Sequence, residues 1–341
     1  MFCLGGDSAE ASSQRRRPRK LPHKAVQVVC FSFDAKLVAT STRSRLAVWD
    51  LERNKQVAEL EHSGIDCVGF CNNLGTVLVG GSSTGITVFE WSPEHPPSSV
   101  EFRKPAGCLT LDVSRSDSGV GVFGLMNGML HLFHCDAPGV VTGVMRDQGP
   151  VCSVSLNRTG TVLVSCTNKT RYSKWDTTTL QLVQRVEHQT WVWACVSNSL
   201  GSRFISCEGR HSCTLRLWDA NATDSVVLPT RNDRFEAYAV SADFSRLVFS
   251  CAENRLVMLC VETAKWSEVF CFPVSVQDVC LSPTTSHCAV GLANGLTFVL
   301  DLCLPDKSRL LALVTALRHI LPTEILRLVK SMLCWKGGGG V

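Results

Sequence analysis

From residue 25 to about 305 the chain is a succession of short apolar runs with period-two alternation. Each run leading a group closes in a polar turn: SFDAK, NNLGT, SRSDSG, NRTGT, SNSLGS, SADFS and SPTTS. Alternation of this kind bounded by turn residues predicts β-strands. Aligned on the apolar residue just before each turn region (Phe31, Phe70, Val113, Leu156, Val196, Val240 and Leu281), the groups recur at intervals of 39, 43, 43, 40, 44 and 41 residues. A second run follows in each group, then a third that ends on Trp49, Phe89, Phe133, Trp175, Trp218, Leu259 or Val299. Seven units of three or four short strands at this period predict an all-β, seven-bladed β-propeller.

After residue 306 the period changes. SRLLALVTALRH (Ser308 to His319) and PTEILRLVKSML (Pro322 to Leu333) place apolar residues at helical spacing. The stripes are Leu310, Leu313, Val314 and Leu317, then Ile325, Leu326, Leu328, Val329 and Leu333. Pro322 suits a first helical position, and Glu324 falls where the helix dipole favours an acid. The expected organisation is a basic N-terminal arm (1–24), a propeller (25–306), and a short C-terminal helical hairpin with a flexible tail (307–341). Because the third strand of unit seven runs directly into this hairpin, that blade needs a fourth strand from elsewhere. The segment around Lys20 to His23 is the favoured donor, with Arg309 to Val314 as the alternative.

Three units end on the dipeptide WD, at Trp49-Asp50, Trp175-Asp176 and Trp218-Asp219. With the 40-residue period, this resembles the WD-repeat β-propeller family over residues 25 to about 305. The Gly-His pair usual before the inner strand remains only as Glu61-His62 and Glu187-His188, and the usual aspartate in the turn before WD is absent. Those departures bear on the buried hydrogen-bonded network common in such blades, not on the architecture. The resemblance implies a non-catalytic protein-interaction scaffold. In the tail, Leu321-Pro322-Thr323-Glu324-Ile325-Leu326 resembles the opening of an F-box, and a Leu-rich helix followed by Leu-Pro after a propeller is similar to a SOCS-box arrangement. Both imply the alternative of a substrate-receptor or adaptor subunit of a ubiquitin ligase. The WDxR signature of another ligase-docking group is missing, since the WD sites continue LE, TT and AN.

Composition adds three points. Apolar residues make up 45% of 341 and charged ones 19%, enough for a large core, and no run of eighteen apolar residues offers a membrane span. The opening MFCLGGDSAEASS has no apolar core of signal-peptide length, so a cytoplasmic and/or nuclear location is expected, with RRRPRK (Arg15 to Lys20) resembling a nuclear localisation signal. The eighteen cysteines sit singly in strand-like runs, as reduced, buried small hydrophobes would. VCFSFD and VCLSPT, for example, share a cysteine before the aligned position, where mostly small residues (Cys30, Gly69, Asp112, Ser155, Cys195, Ala239, Cys280) suit close packing of inner strands. CEGRHSC (Cys207, His211, Cys213) and HLFHC (His131, His134, Cys135) carry metal-type ligands but lack a fourth ligand and the usual spacing, so no metal or cofactor is expected. GxSxG, HExxH and GxxxxGK[ST] are absent, and no enzyme is expected.

Charge is unevenly placed: net +4 over residues 1–24, −5 over 25–306 and +5 over 307–341. In a propeller the loops entering the inner strands share a face with the turns between second and third strands. That face collects Arg43, Arg45, Arg103, Lys104, Lys169, Arg171, Arg210, Arg231, Arg234 and Arg255, and the opposite face collects mostly acids, Asp50 and Asp219 among them. The partner-binding candidates are therefore Arg43, Arg45, Lys169, Arg171, Arg210, Arg231, Arg234 and Arg255 for an acidic or phosphorylated peptide. Leu310, Leu313, Leu317, Ile325, Leu326 and Val329 on the C-terminal helices are the second candidate surface. Nucleic acid is disfavoured by the ring's net negative charge.

Overall fold

The computed structural model describes residues 2–4, 26–42, 44–53, 55–62, 64–72, 76–92, 95–103, 106–114, 119–137, 140–167, 170–209, 213–219, 225–229 and 234–302. The predicted C-terminal helices, with Leu310, Leu313, Leu317, Ile325, Leu326 and Val329, lie outside them, as does the basic run Arg15 to Lys20.

Among the described residues, twenty-eight strands form seven four-stranded antiparallel sheets. Their inner strands are Val26–Phe31, Cys67–Phe70, Cys108–Val113, Val151–Leu156, Val192–Ser197, Phe235–Val240 and Val276–Leu281. Inner strands pack side by side at six of the seven seams, the first against the seventh among them, and an apolar cluster joins blades five and six, so the sheets are blades of a closed ring. The apolar faces of adjacent blades bury against each other in clusters that cross the seams, such as Ala39, Val48, Val68, Phe70 and Leu78 between blades one and two.

The register corrects two positions of the repeat. In each inner hairpin the last residue of the inner strand faces the second residue of the next one: Phe31 opposite Val38, Leu156 opposite Leu163, and in blade five Ser197 opposite Phe204. Ser197, not Val196, is thus the aligned residue, and Cys195 lies one place deeper than Cys30 and Cys280. In blade seven, Cys288 faces Leu300, so Leu300 and not Val299 fills the Trp position. Hydrophobicity alone misplaces both: Val196 is more apolar than the aligned Ser197, and Val299 and Leu300 are equally apolar in a strand buried on both faces.

The fourth strand of blade seven is Phe2–Leu4, paired antiparallel with Thr297–Asp301 through Phe2–Val299 and Leu4–Thr297. The donor is N-terminal, but it is the first residues of the chain; Lys20 to His23 and Arg309 to Val314 fall outside the described residues. Closure is reinforced at the axis, where the Val29 N–H donates to Asp278 Oδ2 at 2.8 Å across the seam between blades one and seven. The same kind of link recurs elsewhere: Leu156 N–H to Asp112 Oδ2 at 2.7 Å, Cys195 N–H to Ser153 Oγ at 3.3 Å, and Ser197 N–H to Ser155 Oγ at 3.1 Å. Small and short polar residues at these positions let backbones approach. A Cβ on Gly69 would lie 3.1 Å from Val113 of the next blade.

Blades four and five carry the buried network despite the missing turn aspartate. In blade five Trp218 Nε1 donates to Ser206 Oγ at 2.9 Å, Ser206 Oγ lies 3.5 Å from Glu208 Oε1, and that oxygen meets His188 Nδ1 at 2.9 Å and Arg216 Nε at 2.8 Å. In blade four Trp175 Nε1 donates to Ser165 Oγ at 3.0 Å, which donates to Asp147 Oδ2 at 2.8 Å, with Arg185 3.6 Å from Oδ1. The acid is supplied from a different place in each blade: the end of the second strand in one, the loop before the inner strand in the other. Burial opposes the charge on Glu208, but His188, Arg216 and Thr190 outweigh it and hold its pKa below the usual carboxylate value. Blades two and three put Phe89 and Phe133 in the Trp place, stacked on His62 and Phe123 respectively.

Three outcomes follow. Deleting residues 1–4 exposes the edge of Thr297–Asp301 and should lower Tm by at least about 2 °C, as loss of about 1 kcal/mol does in a domain of this class; scanning calorimetry on the truncated chain checks it. Ser206→Ala strands the Trp218 N–H and should cost about 1 to 3 kcal/mol in urea unfolding, whereas Ser199→Ala on the surface turn should cost under about 0.5 kcal/mol. The third concerns Asp278, whose pKa burial pushes up to about 7 against the N–H groups of Val29 and Val279. The unfolded value is about 3.9, so the folded chain holds the proton more tightly. This group's contribution to stability is full below about pH 4 and lost as pH rises through about 7. Asp278→Asn, which keeps an acceptor for Val29, should therefore gain on the wild type in Tm between pH 5 and pH 8; a gap that is constant with pH contradicts the assignment.

Candidate interaction site at the axial mouth

Inner strands of six blades share a β-bulge at their second residue: Gln27, Leu109, Cys152, Trp193, Glu236 and Gln277 drop out of the ladder. In blade two Asp66 holds the corresponding place, one residue before Cys67, its N–H bonded to Gly81 O at 2.8 Å. A bulge turns the unpaired side chain away from the sheet. All seven are exposed or half-buried, while the residue before each one is buried. Seven side chains therefore ring the mouth of the axial channel on the face where the loops enter the inner strands.

One sector of that ring is different. The inner strands of blades five and six approach each other less closely than any other neighbouring pair. The far ends of this seam stay tied, with Ser199 N–H donating to Ala242 O at 2.9 Å, so the seam opens toward the mouth. Bulk explains it: this seam carries Trp193, Phe235 and Tyr238 at register positions where the other blades carry Gln, Asp, Glu, Leu or Cys, then Val, Ile or Cys, then Val, Leu or Cys. Tyr238 reaches past blade five, its hydroxyl 3.3 Å from Ser153 Oγ of blade four. Trp193 packs edge-on against it, ring centroids 5.3 Å apart at 86°. Above this pair lies a cavity of about 390 Å³ lined by Trp191, Trp193, Arg234, Phe235, Glu236, Val276 and Gln277. Burial raises the Tyr238 pKa well above its ordinary value, so the phenol stays neutral as a hydrogen-bonding partner for Ser153.

Around the axis the charge is one-sided. The inner strands, with Asp66 just before the second, contribute Asp66, Asp112, Glu236 and Asp278 and not one Lys, Arg or His. Burial raises the pKa of Asp66 as it does that of Asp278. Among the described residues neither Glu236 nor Arg234 makes a side-chain hydrogen bond or ion pair, and both are exposed.

Of the basic residues expected to form one face, Arg45, Arg171, Arg234 and Arg255 lie among the described residues. Arg45 Nη1 meets Glu59 Oε1 at 2.9 Å. Arg171 donates to Gln148 Oε1 at 2.6 Å and lies 4.0 Å from Glu187, and Arg255 Nε is 3.4 Å from Glu253 Oε2. Each of these three has a carboxylate beside it. Arg234 alone of the described set stands at the axial cavity. Arg43, Lys169, Arg210 and Arg231 lie outside the described residues. What sequence reading missed was the aromatic sector itself, Trp191, Trp193, Phe235, Glu236 and Gln277. The available signal was the bulge position, two residues into each inner run, where side chains leave the sheet.

The cysteine motifs do not converge on a site. Cys207 and Cys213 are buried side by side, with a thiol–thiol hydrogen bond and burial raising the Cys207 pKa well above its ordinary value, and His211 lies outside the described residues. His134 is exposed while Cys135 is buried against Gly119. Among the described residues no group of three or more His, Cys, Asp or Glu is placed to hold a metal ion, and the described cysteines are free thiols. No helix among them is long and apolar enough to cross a membrane.

Comparison with known proteins adds one match. Residues 180–219 fit the model of the WD domain, G-beta repeat. This span includes His188, Ser206, Glu208 and Trp218, the buried network of blade five. No curated protein matches the chain. Seven four-stranded blades in a closed ring make this chain a seven-bladed β-propeller, and the stretch that carries the network of blade five is similar to the WD domain, G-beta repeat.

Proposed function

We propose that the chain is a non-catalytic protein-interaction scaffold that takes its partner at the axial mouth, on the face where loops enter the inner strands. The observation that carries this is the bulge ring with its opened sector. Half-buried tryptophans and exposed polar side chains border a preformed cavity beside the inner strands, an arrangement that supports a central anchor with a polar rim. The fold's usual role in protein association supports it too. The described arginines Arg45, Arg171 and Arg255 each have a carboxylate beside them, and Arg234 stands at the axial cavity.

A second reading comes from the C-terminal sequence. Leu310, Leu313, Leu317, Ile325, Leu326 and Val329 supply the apolar stripes that a ubiquitin-ligase adaptor surface needs, and Leu321 to Leu326 resembles the start of an F-box. In that reading the propeller holds a substrate and the tail recruits the ligase.

One affinity-capture series, read by quantitative mass spectrometry, separates these. Against the wild type stand the axial pair Trp193→Ala with Gln277→Ala, the far-face pair Asp50→Lys with Asp219→Lys, and a chain ending at residue 306. Loss of partners from the axial pair, with retention by the far-face pair, is expected, with a cost of about 2 kcal/mol or more for truncating a central aromatic anchor. Equal losses from both faces sink the axial reading. Ligase subunits that disappear only with the shortened chain establish the second.

A further inference from the structure

We infer that the cavity between blades five and six is the seat of a basic side chain, a lysine or arginine carried in an extended segment of the protein partner. This rests on the axial face being the docking face. Three independent features lead to it. First, Trp191, Trp193 and Phe235 line the cavity, the two tryptophans half-buried, with Tyr238 packed edge-on against Trp193. Aromatic faces attract cations through their quadrupole, indole most strongly. Second, Glu236 lines the same cavity, exposed, with no partner for its side chain among the described residues. A carboxylate can accept the charge-assisted hydrogen bonds that an ammonium or guanidinium donates. Third, the strands around the axis hold four carboxylates and no cation, so the field at the mouth favours positive charge.

Size is consistent with one long side chain and its flanking backbone, because about 390 Å³ lies at the lower end of the roughly 300 to 1,000 Å³ range of ligand cavities. Among the described residues Arg234 is the single cation in the wall. It belongs to the loop one residue before the inner strand, whereas Glu236 sits on the bulge. An acidic or phosphorylated peptide would use Arg234 and be repelled by Glu236; a basic one reverses both signs. The two occupants therefore differ in which substitution matters.

The probe is an oriented library of unstructured nonapeptides, with one fixed position scanned through Lys, Arg, Glu, phosphoserine, Leu and Gln, bound to the full chain. The wild type should select Lys or Arg at that position. Glu236→Gln should reduce the selection roughly fivefold or more, and Trp193→Leu should abolish it. Arg234→Ala should leave binding unchanged or tighten it. Glu236 is exposed, so its variant tests the idea even if Trp193→Leu perturbs packing, and the melting curve of each variant identifies such a perturbation. Selection of Glu or phosphoserine that is lost in Arg234→Ala overturns the proposal in favour of an acidic partner. Binding that needs Trp193 but ignores the scanned charge refutes the basic seat while leaving the axial docking face intact. Peptides bound equally well by Trp193→Leu and Glu236→Gln refute both, and a library that shows no binding to the wild type refutes the basic seat.

Discussion

A ring of wedge-shaped sheets closes only if its inner strands come close together around the axis. That constraint governs the rest of this molecule. Side chains there must be small, or must use their polar atoms to satisfy the neighbouring strand's backbone. Both solutions are present: Gly69 leaves room for Val113, while Asp112, Ser153, Ser155 and Asp278 accept N–H groups from the next blade. Each such bond replaces a ladder partner that the innermost edge of a sheet would otherwise lack. The carboxylates among them are also what makes the axis acidic, so the device that links the blades sets the electrostatics of the mouth.

The exception is as informative as the rule. Between blades five and six, Trp193, Phe235 and Tyr238 are too large for close approach, and the strands part at the mouth while Ser199 and Ala242 hold them at the other end. Spreading a seam removes van der Waals contact between strands, a loss met in part by aromatic packing of Trp193 on Tyr238 and by the hydroxyl bond to Ser153. The cavity that results is preformed, on strands rather than loops, which limits the ordering cost of binding there. Stability and recognition thus meet near one seam: blade five, on one side of it, carries the hydrogen-bonded network through Glu208, and blade four, next beyond, the network through Asp147.

Much of the architecture was legible in the chain. Period-two alternation with turns every 40 or so residues follows from strand geometry, which repeats side-chain orientation every second residue and does not depend on what the strand packs against. Unit boundaries, blade number and the three Trp-Asp endings all came from that periodicity. Registers in blades five and seven did not, because Val196 and Ser197, or Val299 and Leu300, are equally at home in a strand covered on both sides. The hydrogen-bonded network was also hidden. Asp147 and Glu208 occupy positions where the family's usual acid is absent, and only the folded backbone shows that they reach the same buried serines.

The amino-acid sequence by itself determined the repeat, the all-β class, the aromatic and acidic content of the inner strands and the net charge of each region. All of these are sums or periodicities along one dimension. Tertiary structure decided which side chains share a place. It paired Phe2–Leu4 with a strand almost three hundred residues away, set Arg45, Arg171 and Arg255 beside Glu59, Glu187 and Glu253, and gathered Trp191, Trp193, Glu236 and Gln277 from three blades around one cavity. The physical reason is the ring: closure brings together residues from units about forty positions apart, and the spacing of charges along the chain says nothing about which opposite charge each will meet.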